Sequence, residues 1–295
     1  MNEHPKAVTP TVPQPDGPGA RRVFHPAKEE APLAAQPTPT PQTAHPAYRL
    51  AFQDLEFLLR DDLRPVRFQL ELLKPELMLA EAGIASTFVF YGSARIPAPE
   101  QVEALHAAAT TEAGRRTAER LAAKSRYYEE ARKLAYLASC TPCGASGRDY
   151  VVCSGGGPSI MEAANRGAFE AGAPSIGLNV VLPHEQVPNS YVTPGLSFQF
   201  HYFALRKMHF LMRARAVAVF PGGFGTFDEL FELLTLVQTQ KMDPVPILLF
   251  GRDFWSRVVS FETLVEEGVI SPGDLDLFHL VETAEEAWAI ACAGA

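Results

Sequence analysis

Cysteine and long apolar runs are both scarce in this sequence. Only four cysteines occur in 295 residues, too few for the disulfide framework of a secreted scaffold. The N-terminal segment has no apolar stretch of the kind found in signal peptides, and no run approaches the roughly 18 apolar residues that a membrane-spanning helix needs. These absences predict a globular, cytoplasmic protein that does not enter a membrane.

Positive charge is also in short supply. The 26 Lys and Arg residues are outnumbered by 34 Asp and Glu, so the formal net charge is -8 and the pI is near 5.5. Such a chain has no broad basic face for nucleic acid or for an anionic membrane. We therefore expect a small-molecule partner, and any phosphate site must be local and built largely from backbone N–H groups.

Two common nucleotide-binding signatures are missing. No G-x-G-x-x-G lies in a first βαβ unit, and G-x-x-x-x-G-K-[ST] does not occur anywhere in the chain. Ordinary NAD-dependent enzymes and P-loop NTPases are therefore disfavoured.

The chain divides into three segments of different composition. Residues 1–47 hold 11 of the 25 prolines and few large apolar residues, which predicts a disordered tail. Residues 48–85 show helical periodicity interrupted by Pro65 and Pro75, which predicts two or three short helices. Residues 86–295 form the predicted main domain.

In the main domain short apolar runs alternate with amphipathic segments. This pattern is typical of an α/β fold, a Rossmann-like doubly wound parallel sheet with helices on both faces. Strands are predicted at residues 87–91, 150–153, 175–179, 216–220, 245–250 and 279–281. Helices are predicted at about 100–138, 158–171, 202–213, 226–240, 252–267 and 283–292. The first of these helices is unusually long and offers a candidate contact surface for a neighbouring subunit.

Glycine-containing loops follow three of the predicted strands, at the sheet edge where α/β proteins bind ligands. Glycine lets the backbone approach a phosphate closely, and a helix starting there offers free N–H groups to an anion. The loops are Gly92-Ser93-Ala94-Arg95, Ser154-Gly155-Gly156-Gly157-Pro158-Ser159 and Pro221-Gly222-Gly223-Phe224-Gly225-Thr226. They predict a phosphate site.

A purely structural interpretation of these loops stays open on the residues alone. The glycines could simply make tight strand-to-helix turns. Thr226 with Glu229 three residues later also matches a capping box, in which both side chains satisfy donors at a helix N-terminus.

Taken together, the loops resemble those of a known family. The Ser154 loop continues into Met161-Glu162-Ala163-Ala164-Asn165-Arg166-Gly167-Ala168, an Arg206-Lys207 pair follows, and the Pro221 loop ends P-G-G-F-G-T-F-D-E. This pattern resembles the LONELY GUY family, the cytokinin riboside 5'-monophosphate phosphoribohydrolases, whose members were long mislabelled as lysine decarboxylases. The form of the Ser154 loop and the long first helix indicate its longer bacterial branch.

The resemblance implies hydrolysis of the N-glycosidic bond of AMP or N6-modified AMP, giving free base and ribose 5-phosphate, without cofactor or metal and in a homo-oligomer. It implies Arg206 and Glu229 as the catalytic pair. It implies a 5'-phosphate site of Gly222, Gly223, Gly225 and Thr226 with Gly92 and Ser93 nearby, and a base and ribose site of Gly156, Gly157, Met161 and Asn165.

The chemistry agrees with this division of roles. Breaking the bond at C1' develops positive charge on the ribose, which a carboxylate such as Glu229 stabilises, or the carboxylate orients the attacking water. Because arginine does not readily give up its proton, Arg206 is suited to binding phosphate or to stabilising negative charge on the departing base.

Several other residues are of types that can bind metals or take part in catalysis, but their spacing indicates no site. Cys140 and Cys143 have the spacing of a zinc half-site or redox pair, but a complete ligand set is missing. His184, His201 and His209 pair with no nucleophile. A Lys207 side chain would face about 100° away from Arg206 on a helix. The aromatic stretch 198–203 is expected to pack in the core or against a subunit.

Two alternative functions are weighed against the glycosidase. A binding module for a nucleotide or phosphorylated cofactor could use the same loops without turnover. A pyridoxal phosphate decarboxylase would need a lysine Schiff base, and neither Lys207 nor Lys241 lies in a recognisable context for one.

Overall fold

A computed structural model describes residues 25–140, 147–183 and 187–293. The chain forms two compact units, Met1–Arg67 and Phe68–Ala295. The strands are β1 Thr87–Tyr91, β2 Val151–Ser154, β3 Ser175–Val180, β4 Ser197–Phe200, β5 Ala214–Val219, β6 Ile247–Phe250 and β7 His279–Val281. The helices are α1 Ala27–Ala34, α2 Pro41–Ala44, α3 Leu55–Leu58, α4 Arg64–Glu81, α5 Val102–Ala108, α6 Glu112–Ala122, α7 Arg126–Ser139, α8 Ile160–Glu170, α9 Phe203–Leu211, α10 Phe224–Gln238, α11 Arg252–Val258, α12 Phe261–Glu266 and α13 Ala284–Ala293.

The first unit is built from short helical pieces. Asp54 caps α3 by accepting a hydrogen bond from the Phe57 N–H at 3.2 Å. None of the helices α1 to α3 buries a residue, so hydrophobic burial contributes little to the stability of these helices. Of the predicted tail, residues 1–24 lie outside the described residues, and the segment boundaries stay a prediction.

The second unit carries the predicted doubly wound sheet. Its seven strands are all parallel in the order β4-β3-β2-β1-β5-β6-β7. The chain starts at β1, builds outward on one side to β4, and then returns to place β5 on the other side of β1. The strand order therefore reverses between β1 and β5, and the crevice at this switch point is where such sheets bind ligands.

Both faces of the sheet are covered, because successive side chains of a strand point to opposite faces. In β1, Phe88 and Phe90 join the core formed with α7, α8 and α13. Val89 and Tyr91 join the core formed with α4, α9, α10, α11 and α12. Buried apolar side chains on both faces explain why the strands are continuous apolar runs.

One strand was missed by the sequence analysis. Residues 197–200 form the edge strand β4, which pairs with β3 from Ser197 opposite Gly177 to Phe200 opposite Val180. Phe198 and Phe200 point into the core, while Gln199 between them is exposed. The stretch was expected to pack in the core, and its period-two pattern is too short to distinguish a strand from a buried loop.

The predicted long first helix is wrong, because the segment forms three helices. Thr111 caps α6 by accepting a hydrogen bond from the Gly114 N–H at 3.0 Å, so α5 ends before it. A turn at Ala123–Ser125 then separates α6 from α7. Helix α7 packs on α8 and α13 of the same chain, and the absent side chain of Gly167 lets the backbone of α7 approach α8 closely.

The predicted helix at 252–267 is likewise divided into α11 and α12.

Within the described residues, no helix combines the length and apolarity needed to cross a membrane.

Candidate functional site

The Pro221 loop leads into an open helix N-terminus. Helix α10 begins at Phe224 with Gly223 as its N-cap. Nothing lies within 4 Å of the position a side chain would take at Gly223 or Gly225, and Phe224 is 97% exposed. Because the first-turn N–H groups of a helix have no intrahelical acceptor and lie at the positive end of its dipole, this terminus is suited to bind an anion.

The capping-box interpretation of Thr226 and Glu229 is wrong. Since α10 begins at Phe224, Thr226 lies inside its first turn, where its buried side chain packs on Gly222. A methyl group on Gly222 would overlap the Thr226 side chain, which explains the glycine there. Glu229 bonds to no backbone donor of its own helix terminus and is directed towards Arg206 instead.

The Gly92 loop connects the other two glycine loops. The Ser93 N–H donates to the Pro221 carbonyl at 3.2 Å, and the Ser93 carbonyl accepts from the Ile160 N–H at 3.4 Å. A methyl group on Gly92 would lie 2.7 Å from Ile160 Cγ2. The loop thus satisfies the first N–H of α8, whereas the N–H groups of Phe224 and Gly225 at the start of α10 bond to no described residue.

A buried amide network holds the Ser154 loop. Gly156 has a φ of 71° and donates its N–H to Ser154 Oγ at 3.0 Å. Ser154 Oγ is 2.7 Å from Asn165 Oδ1, which also accepts from Asn189 Nδ2 at 2.9 Å. Asn165 is fully buried. It therefore supports the loop from the protein interior and is not accessible from the crevice.

Asn189 is a residue that the sequence analysis missed. Its side chain donates to the Gly157 carbonyl at 2.9 Å and its N–H donates to the Gly156 carbonyl at 2.8 Å. It lies 32 residues after Gly157 in an irregular segment, where no periodic pattern indicates a partner. Only the conformation of the segment between β3 and β4 brings it to the loop.

Arg206 and Glu229 form a buried ion pair at the centre of these loops. Arg206 Nη1 lies 3.2 Å from Glu229 Oε1, and the two side chains are only 11% and 12% exposed. Arg206 Nε also donates to the Leu178 carbonyl in β3 at 2.7 Å. The guanidinium stands over the Phe210 ring, 4.9 Å from its centroid, so packing and two hydrogen bonds fix its position.

The Ser154 loop reaches this ion pair through a glycine that the sequence analysis did not single out. A methyl group on Gly155 would lie 2.7 Å from Arg206 Nη2 and 2.7 Å from Met161 Sδ. The missing side chain therefore allows the guanidinium and Met161 to pack directly on the loop backbone. The predicted Arg206, Glu229 and Met161 are brought together with Gly156 and Gly157 next to them.

Burial controls the protonation of this site. Desolvation raises the pKa of Glu229 to about 7, a shift that the Arg206 charge opposes and the nearby Asp228 reinforces. Beneath the pair, burial and the negative charge of Glu229 raise the pKa of Tyr91, and burial raises the pKa of the Cys153 thiol. Tyr91 and Cys153 are therefore neutral, and Glu229 is the group that titrates near neutral pH.

Helix α4 supports the helix that carries Arg206. The two carboxylate oxygens of Glu71 accept hydrogen bonds from the His201 N–H at 2.9 Å and the Tyr202 N–H at 3.2 Å, at the start of α9. Phe68 stacks on Tyr202 with ring centroids 4.1 Å apart. Helix α4 therefore anchors α9, through a contact between residues 130 apart that no local sequence pattern predicts.

The residues that the sequence analysis set aside lie in other environments. Lys207 pairs with Asp228 at 3.1 Å and Glu232 at 3.2 Å on α10. Burial lowers the pKa of His209, and His201 is exposed. Cys140 is exposed at the end of α7, whereas Cys143 and His184 lie outside the described residues. In the described part of the chain, no group of three or more His, Cys, Asp and Glu side chains is placed to hold a metal.

Comparison with known proteins supports the resemblance. A sequence model of the family described as "Possible lysine decarboxylase" matches residues 161–290. Cytokinin riboside 5'-monophosphate phosphoribohydrolase LOG1 of Arabidopsis thaliana is 30% identical over 139 residues, which are 46% of this chain and 64% of that protein. Its relative LOG3 is 27% identical over 139 residues, 46% of this chain and 63% of that protein. This chain is similar to these phosphoribohydrolases over less than half of its length.

The chain spans about 63% of the length of the LONELY GUY relatives that it matches. Among solved structures, the molybdenum cofactor binding protein from Rippkaea orientalis is 15% identical with a TM-score of 0.44, covering 71% of this chain and 98% of that one. The Moco carrier protein from Chlamydomonas reinhardtii is 16% identical with a TM-score of 0.42, covering 71% and 96%. Likeness at this level does not bear on which ligand this chain binds.

Proposed function

We propose that this protein is a nucleoside 5'-monophosphate phosphoribohydrolase, which hydrolyses the N-glycosidic bond of AMP or N6-modified AMP to free base and ribose 5-phosphate. The observation that carries the proposal is the buried Arg206–Glu229 ion pair beside the open N-terminus of α10. A carboxyl group that titrates near neutral pH next to a fixed cation, at the switch point of an α/β sheet, suits bond cleavage better than simple ligand binding.

The 5'-phosphate is assigned to the N-terminus of α10. Gly222, Gly223, Gly225 and Thr226 surround the free N–H groups of the first turn. Gly92 and Ser93 border them through the Ser93 bond to Pro221. Such a site needs no basic patch, in keeping with the net charge of -8.

The chemical step is assigned to the ion pair. As the C1'–N bond breaks, positive charge develops on the ribose, and the Glu229 carboxylate stabilises it and accepts a proton from the attacking water. The water oxygen forms the new bond to C1', and the electron pair of the broken bond goes to the base, which takes up a proton from solvent while Glu229 later returns its proton to solvent. Arg206 retains N–H groups beyond those bonded to Leu178 and Glu229, and these stabilise the negative charge on the leaving base.

The base and ribose are assigned to the Ser154 loop. Gly156, Gly157 and Met161 border them, and Asn165 acts as a positioning residue that holds the loop through Ser154 and Asn189. The substrate is a small molecule, no cofactor or metal takes part, and the functional form is a homo-oligomer, as the relationship to the family suggests.

The test is to incubate the purified protein with AMP, isopentenyl-AMP, GMP and CMP, and to measure free base and ribose 5-phosphate by chromatography. We expect release from at least one monophosphate and none from adenosine, because the 5'-phosphate supplies the binding energy that positions the sugar. Glu229→Gln and Arg206→Ala should each lower kcat/KM by about 100-fold or more.

Two outcomes would contradict the proposal. Full activity in both variants would remove the ion pair from the mechanism. Stabilisation of the fold by AMP without any product would identify a nucleotide-binding module instead.

A further inference from the structure

Four buried polar atoms have no hydrogen-bond partner among the described residues. They are Thr87 Oγ1, Ser125 Oγ, Asn179 Oδ1 and His209 Nδ1. Two of them lie away from the glycine loops, since Thr87 opens β1 at the opposite edge of the sheet and His209 faces α4, while Ser125 precedes α7. Asn179, near the carboxyl end of β3, is the one beside a glycine loop.

The Asn179 side chain lies directly against the Ser154 loop. The residue is 9% exposed, and a methyl group on Gly156 would overlap its amide oxygen. Its amide nitrogen donates to no described residue. No hydrogen bond to a described residue therefore holds either end of the amide in its present orientation.

An amide left in this state weakens the fold, since a buried polar group without a partner keeps its desolvation penalty. Buried polar groups in native proteins are nearly always hydrogen-bonded, and an exception needs an explanation, such as a ligand that supplies the missing partner. A leucine of similar shape would serve the fold better at this position.

The order of the strands indicates which part of a nucleotide reaches Asn179. Strands β5, β1, β2 and β3 are consecutive neighbours, so the end of β3 lies about 14 Å from the end of β5, at about 4.8 Å per strand. The phosphate is assigned to the loop after β5, and the reacting C1' to Glu229. A nucleotide that continues in the same direction brings its base to β2 and β3.

We propose that Asn179 is a specificity residue that binds the base, its amide pairing with the amino group and N7 of a 6-aminopurine. An amide offers one donor and one acceptor side by side, which matches this donor and acceptor pair. At this edge a 6-oxopurine offers only the acceptors O6 and N7, which leaves the amide oxygen unpaired. The assignment rests on the function proposed above.

The experiment compares Asn179→Leu with Thr87→Val, a matched control that removes another unpartnered polar atom far from the crevice. For each, kcat/KM is measured with AMP and with IMP, and thermal stability is recorded. Dissociation constants for AMP, IMP and ribose 5-phosphate are measured in the Glu229→Gln background, where turnover does not interfere.

We expect Asn179→Leu to keep or raise Tm while its preference for AMP over IMP falls roughly 10- to 100-fold. Its affinity for ribose 5-phosphate should be unchanged. Thr87→Val should also keep Tm but leave the preference as in the wild type.

An unchanged preference in Asn179→Leu would overturn the assignment. So would an equal loss of affinity for AMP, IMP and ribose 5-phosphate, which would indicate a structural role. If the wild type splits no monophosphate, the proposed function fails, whereas the dissociation constants still decide whether Asn179 distinguishes the bases.

Discussion

At the scale of single residues, the chemistry depends on how burial changes Glu229. The same carboxyl on an exposed helix would be fully ionised at neutral pH and paired weakly with solvent-screened charges. Here desolvation raises its pKa to about 7, and Arg206 keeps the ionised form accessible. The residue type was evident in the sequence, but its titration range is a property of the folded environment.

The first prediction concerns pH. If the carboxylate of Glu229 is the active form, kcat/KM for AMP should rise with pH, pass its midpoint near 7 and level off above it. Glu229→Gln should remove this limb and leave a low, flat rate. The measurement is the initial rate of adenine release between pH 5 and pH 9 (a range of about 2 units either side of the midpoint).

The phosphate of the substrate also titrates, with a second pKa near 6. Binding of ribose 5-phosphate over the same range serves as the control, because it follows the phosphate and not the bond-breaking step. A falling limb through pH 7 would show that the protonated acid is the active form and that the assigned role is wrong.

The same shift affects stability. The folded-state pKa of Glu229 is raised above its unfolded value, so the stability associated with its protonated form is present below the unfolded pKa and is lost as pH rises towards about 7. Replacement by glutamine removes this loss, which is one reason why an active-site carboxyl of this kind is not the most stable choice for the fold.

Among the secondary-structure elements, the N-terminus of α10 contains two glycines, and the physical reason for a glycine differs between the two positions. Gly222 is needed by the fold, since a side chain there would collide with Thr226. Gly225 has open space around it, and a side chain in the first turn would tilt towards the N-terminus, where the phosphate is assigned.

Alanine substitutions at the two glycines should therefore have different effects on the free energy of unfolding and on ribose 5-phosphate binding. Gly222→Ala should lower the free energy of unfolding by about 1–3 kcal/mol through the clash. Gly225→Ala should leave it unchanged or slightly higher, because alanine favours helix, yet weaken ribose 5-phosphate binding about 10-fold or more. Thermal unfolding and calorimetric titration measure the two effects, and unaltered binding in Gly225→Ala would argue against the phosphate site.

At the scale of the whole molecule, the sheet topology assembles the site. The reversal of strand order between β1 and β5 brings together loops that are about 60 to 130 residues apart in sequence. Helix α4 then anchors α9 through Glu71. The site thus requires the chain from α4 onward, and nothing in helices α1 to α3 contributes a buried side chain.

This leads to a prediction about the Pro-rich segment. A chain beginning at Tyr48 should unfold at the same temperature, within about 2 °C, as the full chain and have the same kcat/KM for AMP, because none of residues 25–47 is buried. The comparison is by thermal unfolding and by the adenine-release assay. A large drop in either quantity would show that the segment has a structural or catalytic role.

The class of fold and the residues of the glycine loops could be predicted from the amino-acid sequence alone. Alternating apolar runs and amphipathic segments specify strands and helices locally, and glycine, proline and threonine at the loop positions follow from local backbone geometry. The signature from Pro221 to Glu229 and the preceding Arg206 were sufficient to indicate the family. These features are local, so they can be predicted without knowledge of tertiary contacts.

Which of these residues act together is evident only from the folded chain. The fold replaces the capping box of Thr226 and Glu229 with an ion pair to Arg206, bonds the first N–H of α8 to Ser93 and leaves the α10 terminus open. It also brought Asn189 and Asn179 to the Ser154 loop. The physical reason is that burial, hydrogen-bond partners and pKa depend on neighbours distant in sequence, which local patterns do not specify.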